Sequence, residues 1–283
     1  MTRAIDYLCN HFTQEHIQRT YLDEKEERET FERIGRAQSL RGYEPKEFMD
    51  LLGAIGVEQI LVTAFKAWNY RDQVPFMETT VEEVVAASDA YPDRIHGLYG
   101  VIPHKAMNGV RELEQLVRDH RFKGVHIHPH GFNLGPDHAY YFPYYAKCEE
   151  LGIPVVISMG HTLEMMPMDN GRPSRLDTVA LYFPNLKIVC GHTGWPWVNE
   201  SIALASKHPN VFIGTSAYAP KYWQPEMVQF LNSRRGMDKV LWGTDWPLVR
   251  HEEALQQIEA LGLKEDAKRK LLYDNSARVF GLG

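Results

Sequence analysis

Eight short runs rich in β-branched and aromatic residues recur along this chain, separated by amphipathic stretches, and no other feature restricts the fold as much. They are AIDYLC (4 to 9), EQILVTA (58 to 64), IHGLYGV (95 to 101), KGVHIH (123 to 128), IPVVISM (153 to 159), LKIVCG (186 to 191), NVFIGT (210 to 215) and KVLWGT (239 to 244). Parallel neighbours in a sheet need a crossover long enough to bring the chain back, so this alternation points to βα units. Eight units in 283 residues fit one α/β barrel, which takes roughly 250. A doubly wound open sheet alternates in the same way, but more often carries a glycine-rich phosphate turn after its first strand. The segment after AIDYLC has none. The expectation is a (β/α)8 TIM barrel, a single domain over 1–283.

Helix boundaries agree with that frame. Thr80 and Glu83 have capping-box spacing, and Gly152 and Gly262 fall where a helix needs a left-handed last residue. FPNLKIV and HPNVFIG each read as a helix stop followed by a strand start. The stretch from Thr13 to Tyr43 is long for a βα connection and rich in Glu, Arg and Lys; it reads as a helical insertion after strand 1, over the barrel mouth. PMDNGRP, from Pro167 to Pro173, reads as a second insertion at the same end, and the two together as a lid.

Composition excludes several functions. Hydrophobic residues make up 44% and charged residues 24%, with no apolar run long enough to span a bilayer. The N-terminus lacks the pattern of a secretory signal, so the cytoplasm is the simplest address and no membrane partner is expected. The net charge of -6 is dispersed and argues against nucleic acid. Cys9, Cys148 and Cys190 are too scattered for a disulfide framework or a cysteine zinc cluster. A small-molecule substrate remains, with homo-oligomer formation left open.

Strand C-termini form the mouth of such a barrel, so polar residues there carry chemistry first. The fourth run ends HIHPH, with His126 and His128 on one face of the strand. The fifth leads to Ser158 and His161, the sixth to His192 with Trp195 close behind, and the eighth to Asp245 and Trp246. An aspartate inside VLWGTDWP is costly to bury unpaired, and needs a cation, a metal or a proton to manage. Trp195 and Trp246 are packing residues or aromatic walls for a flat substrate, and Arg172 is a solvated side chain or a partner for a substrate anion.

KGVHIHP, GIPVVISMG, FPNLKIVCGHTGWPW, HPNVFIGTSAYAPKYW and DKVLWGTDWP, ending in DNSARVFGL, resemble the amidohydrolase-related family of the amidohydrolase superfamily. Aminocarboxymuconate semialdehyde decarboxylase, aromatic acid decarboxylases and pyrone dicarboxylate lactonase belong to it. The resemblance covers nearly the whole chain and implies that Asp245 and His192 are the family's last-strand aspartate and sixth-strand histidine. It also exposes departures. Metal-binding members carry His-X-His after Ile-Asp on the first strand; here Ile5-Asp6 is followed by Leu8 and Asn10 at those positions. Ser158 stands where a fifth-strand histidine is usual. Zinc needs about three protein ligands in a catalytic site. The cofactor is therefore either none, or one divalent metal (zinc or manganese) in a non-standard site drawn from His126, His128, His192, Asp245 and His161.

What the resemblance then implies is a hydrolase cleaving a carbonyl-activated bond: the C–C bond of a β-ketoacyl thioester or β-diketone, or a lactone. Asp245 is the general base on water, and His128, His126 or His192 stabilises the oxyanion. His161, Ser158, Asn10, Trp195, Trp246 and Arg172 are the expected substrate contacts. Two alternatives stand: nonoxidative decarboxylation of an aromatic or muconate-like acid, and a catalytically inactive ligand-binding barrel.

Overall fold

A computed structural model describes residues 3–283. Its strands in chain order are β1 (Ala4–Cys9), β2 (Val57–Thr63), β3 (Phe65–Trp68), β4 (Pro75–Thr79), β5 (Ile95–Gly100), β6 (Phe122–Ile127), β7 (Val155–Ile157), β8 (Ile188–Cys190), β9 (Val211–Gly214) and β10 (Val240–Leu241). All but β3 and β4 form one parallel sheet in the order β1-β2-β5-β6-β7-β8-β9-β10, the barrel expected from the eight runs. The seam between β10 and β1 is closed by three backbone hydrogen bonds: Tyr7 N to Trp242 O (3.2 Å), Asp245 N to Leu8 O (2.9 Å) and Asn10 N to Trp246 O (3.1 Å).

Alternate residues of the strands fill the interior, where Tyr7, Leu61, Leu98, Val156, Val189 and Leu241 form one buried cluster with Val279, Phe280 and Leu282 of the C-terminal segment. Lys187, just before β8, donates to Val279 O at 3.1 Å, so this segment plugs the end opposite the mouth. The outer faces of the strands pack with the helices in a larger apolar shell. Thr80 and Glu83 do form the capping box, and Gly152 and Gly262 adopt positive φ as expected. No helix among the described residues is long and apolar enough to cross a membrane.

Three local features differ from expectation. The antiparallel pair β3–β4 was not anticipated; it lies outside the barrel sheet, against the turn after β6 and the Gln18–Leu22 segment of the insertion. Several strands are shorter than their apolar runs. β10 stops at Leu241 because the Trp242 amide turns to Leu271 O (3.0 Å), away from β9. The insertion is helical as read, with Lys25–Arg33 its longest helix, but Pro167–Pro173 contributes nothing to the mouth. Its Gly171 O instead accepts from Gly160 N, and residues 161–164 reach the mouth in its place.

Asp6 locks the seam. Its buried carboxylate accepts from Leu8 N (3.0 Å), Thr244 N (3.0 Å), Thr244 Oγ1 (2.5 Å) and His251 Nε2 (2.9 Å). Asp6→Ala strips four buried donors of their acceptor and should cost about 3–5 kcal/mol, as breaking a buried charged network does. Urea unfolding monitored by tryptophan fluorescence measures the loss; a change below 1 kcal/mol, the range of an ordinary surface substitution, would contradict this role.

Candidate active site

The mouth holds a cavity of about 440 Å³, walled by the ends of the barrel strands and roofed by the insertion through Tyr21, Glu27, Phe31 and Arg36. Three wall residues that follow strands β8, β9 and β10 hold left-handed backbone: His192 (φ 55°), Ala217 (φ 69°) and Asp245 (φ 54°). Non-glycine residues avoid this region, at a cost of about 1–3 kcal/mol each, and it clusters where side chains are re-aimed for function. Here it turns the chain at the strand ends and leaves His192 and Asp245 facing the cavity.

Asp245 opens onto the cavity and accepts from Asn10 Nδ2 (3.0 Å), which also donates to Trp246 O (2.9 Å). Burial pushes the Asp245 carboxyl above the ordinary aspartate range, even against the pull of His192 and the Asn10 amide. His192 is bonded on both sides, Nε2 to Ser158 Oγ (3.0 Å) and Nδ1 to Ser216 Oγ (2.9 Å). Ser158 Oγ also meets His126 Nε2 (2.9 Å), and His126 Nδ1 meets Thr63 Oγ1 (2.9 Å). Ser216 Oγ is joined in turn by the Tyr7 hydroxyl. His128 stands apart, its Nε2 bonded to Glu164 Oε2 (2.7 Å). Burial pushes the Glu164 carboxyl up, but the charge of a protonated His128 and its hydrogen bond outweigh that and draw it below the usual range.

Of the residues singled out from sequence, Asp245, His192, His128, Ser158, Asn10, His161 and Trp195 line this one cavity. His126 lies behind Ser158, buried and bonded to it at 2.9 Å. Two expected substrate contacts are elsewhere. Arg172 is exposed and paired with Glu200 (2.9 Å), because the Pro167–Pro173 loop folds away from the mouth. Trp246 is buried against Phe48, with ring centroids 5.0 Å apart.

Sequence reading missed Glu164 and Glu27. Glu27 is 4% exposed in the roof, among acids: burial first, then Glu164, Glu26, Glu24 and Asp245 raise its carboxyl to about 8. The available signal was an acid sharing a helical face with Thr30, Phe31 and Ile34, all of which line the cavity. Glu164 carried no such signal, being placed by the irregular loop after β7.

An α/β barrel with histidine, serine and aspartate converging at the strand C-termini defines the class, and comparison with known proteins makes it specific. The chain belongs to the amidohydrolase family, whose model matches residues 11–282. It is 23% identical over 245 residues to a gamma-resorcylate decarboxylase of Polaromonas sp. (strain JS666 / ATCC BAA-500), an alignment covering 68% of this chain and 72% of that one. An uncharacterized TIM-barrel protein from Bordetella bronchiseptica has a similar fold, with a TM-score of 0.81, 24% identity and 99% of each chain covered. So does 5-carboxyvanillate decarboxylase from Novosphingobium aromaticivorans, solved with manganese and 4-hydroxy-3-methoxy-5-nitrobenzoic acid: TM-score 0.71, 17% identity, 99% of this chain and 96% of that one.

These relatives correct the expected reaction. Those with a stated activity are decarboxylases, which release carbon dioxide and need no attacking water; hydrolysis of a β-ketoacyl thioester, β-diketone or lactone, with Asp245 as base on water, is set aside.

The manganese site of such relatives does not fit the residues present. Leu8 is 1% exposed within the interior cluster, and Asn10 supplies an amide that already bonds Asp245. All four ring nitrogens of His126 and His192 are engaged by hydroxyls. The non-standard site considered from sequence does not assemble either. Among the described residues only two trios of potential ligands converge, Asp6–Cys9–His251 and His11–His16–Glu83, and neither includes His126, His128, His192 or Asp245. In the first trio Asp6 is saturated by its four donors, and in the second Arg19 holds Glu83 at 2.8 Å.

Proposed function

We propose that this chain is a nonoxidative decarboxylase of a phenolic aromatic acid. The observation that carries the reading is Asp245: a half-buried carboxyl, held by an amide donor and shifted toward its protonated form, opening into an aromatic-walled cavity. A ring carbon bearing a carboxylate needs a proton delivered to it, and a carboxyl whose burial favours its protonated form is suited to that task. Trp195, Tyr218 and Phe31 offer apolar surface for a flat ring, and the decarboxylase relatives act on substrates of this kind.

The steps balance without a further reagent. Asp245 gives its proton to the ring carbon that carries the carboxylate, while the phenolic proton passes to His128, whose imidazolium is stabilised by Glu164 2.7 Å away. The ring is now a non-aromatic ketone β to the carboxylate. The C–C bond breaks, carbon dioxide departs, and the bonding electrons restore the aromatic ring as a phenolate, which recovers its proton from His128. Asp245 is left as carboxylate and is reprotonated from water.

Turnover of ortho-hydroxybenzoic acids in deuterium oxide tests this. One carbon dioxide per turnover and one deuterium at the vacated ring position are expected. If a panel of such acids releases no carbon dioxide above the uncatalysed rate, the reading fails.

A further inference from the structure

We propose that this chain has replaced the metal of its manganese-bearing relatives with a one-directional chain of hydrogen bonds, in which Ser158 is the link that holds His126 and His192 neutral and in fixed, opposite tautomers.

The direction follows from counting protons. Thr63 Oγ1 lies 3.0 Å from Ala64 O, and a carbonyl can only accept, so the one Thr63 hydroxyl proton is committed there. His126 Nδ1, 2.9 Å from the same oxygen, must therefore donate to it. Burial favours a neutral His126, which leaves its Nε2 as an acceptor; Ser158 must donate to it (2.9 Å). Ser158 has then no proton for His192, so His192 Nε2 donates to Ser158 (3.0 Å). His192, half-buried and likewise biased to neutrality, accepts at Nδ1 from Ser216 (2.9 Å), and Ser216 accepts from Tyr7. Six side chains are satisfied with no proton left over. His126 is protonated on Nδ1 and His192 on Nε2.

Every lone pair that either imidazole could offer a cation is consumed within this chain. Ser158 is also the residue that stands where a ligand histidine is usual, so one position accounts both for the missing ligand and for the link. A metal or an imidazolium at the mouth draws a nearby carboxyl toward ionisation; holding His192 neutral removes that one pull on Asp245.

The test needs no substrate, so its failure is distinct from failure of the decarboxylase reading. Ring-nitrogen correlation spectra of protein labelled with 15N-histidine, assigned by His126→Gln and His192→Gln, should show the two tautomers above at pH 7. They should be unchanged by a tenfold excess of Mn2+, and the electron paramagnetic resonance signal of free Mn2+ should be undiminished by the protein. The order of the links predicts an asymmetric response. Ser158→Ala should release the His192 tautomer alone, since Thr63 still holds His126, whereas Thr63→Val should release both; Ser158→Thr should preserve both. Withdrawal of one Mn2+ per chain, protonation of either ring on both nitrogens, reversed tautomers, or an undisturbed His192 in Ser158→Ala would each overturn the proposal.

Discussion

Asp245→Asn is expected to lower kcat by about 10²- to 10⁴-fold, the usual contribution of a positioned proton donor, while leaving the fold intact. The substitution is well suited to separating the two. An asparagine oxygen can still accept from Asn10 Nδ2, and asparagine tolerates the left-handed backbone at this position (φ 54°) as readily as aspartate. What it removes is the ionisable carboxyl. Single-turnover measurement of carbon dioxide release gives the rate, and thermal unfolding checks the fold. Unchanged turnover would remove Asp245 from the chemistry.

The second large effect concerns Glu27 and is read first in stability. Its carboxyl titrates near 8 in the folded chain, against an ordinary value of 4.5. Between these values the folded state holds a proton that the unfolded state has lost. Stability therefore falls as pH rises through this window, by about 1.4 kcal/mol per pH unit from this one group. Glu27→Gln removes the term. Relative to wild type, the variant should gain on the order of 4 kcal/mol between pH 4.5 and pH 8, then gain no more. Urea unfolding of both proteins at four pH values measures the widening gap, and parallel curves would show that Glu27 titrates normally. A burden of this size in a roof helix is expected where a residue serves the ligand. The protonated acid can donate to a substrate carboxylate, and glutamine keeps that capacity. KM for an anionic acid should therefore rise through pH 8 in wild type and stay flat in Glu27→Gln.

The barrel was legible in the sequence because its strands are β-branched runs at a steady spacing, a pattern set locally by burial on both faces. The pair β3–β4 was not, since its half-exposed strands lie outside the barrel sheet and break no pattern. At the site, Asp245, His192 and Ser158 could be found by their places at strand ends. Their relations could not. The path from Tyr7 through Ser216, His192, Ser158 and His126 to Thr63 crosses six strands of the barrel, and a serine in one run says nothing about an imidazole in another until the ring is closed. Arg172 misled for the converse reason. A cation near the mouth in sequence was claimed by Glu200, whose helix follows the next strand.

The closing of the seam has a consequence for how this molecule comes into being. Asn10 and Asp245, whose contact joins the first strand to the turn after the last, are 235 positions apart. Contacts of such separation are slow to form, because the entropy of the intervening loop is lost before the contact contributes. No partially assembled barrel holds Asp245 beside Asn10. During refolding, the appearance of activity should then trail the recovery of helical circular dichroism and coincide with the last slow phase, so that catalysis serves as a clock for the completion of the ring.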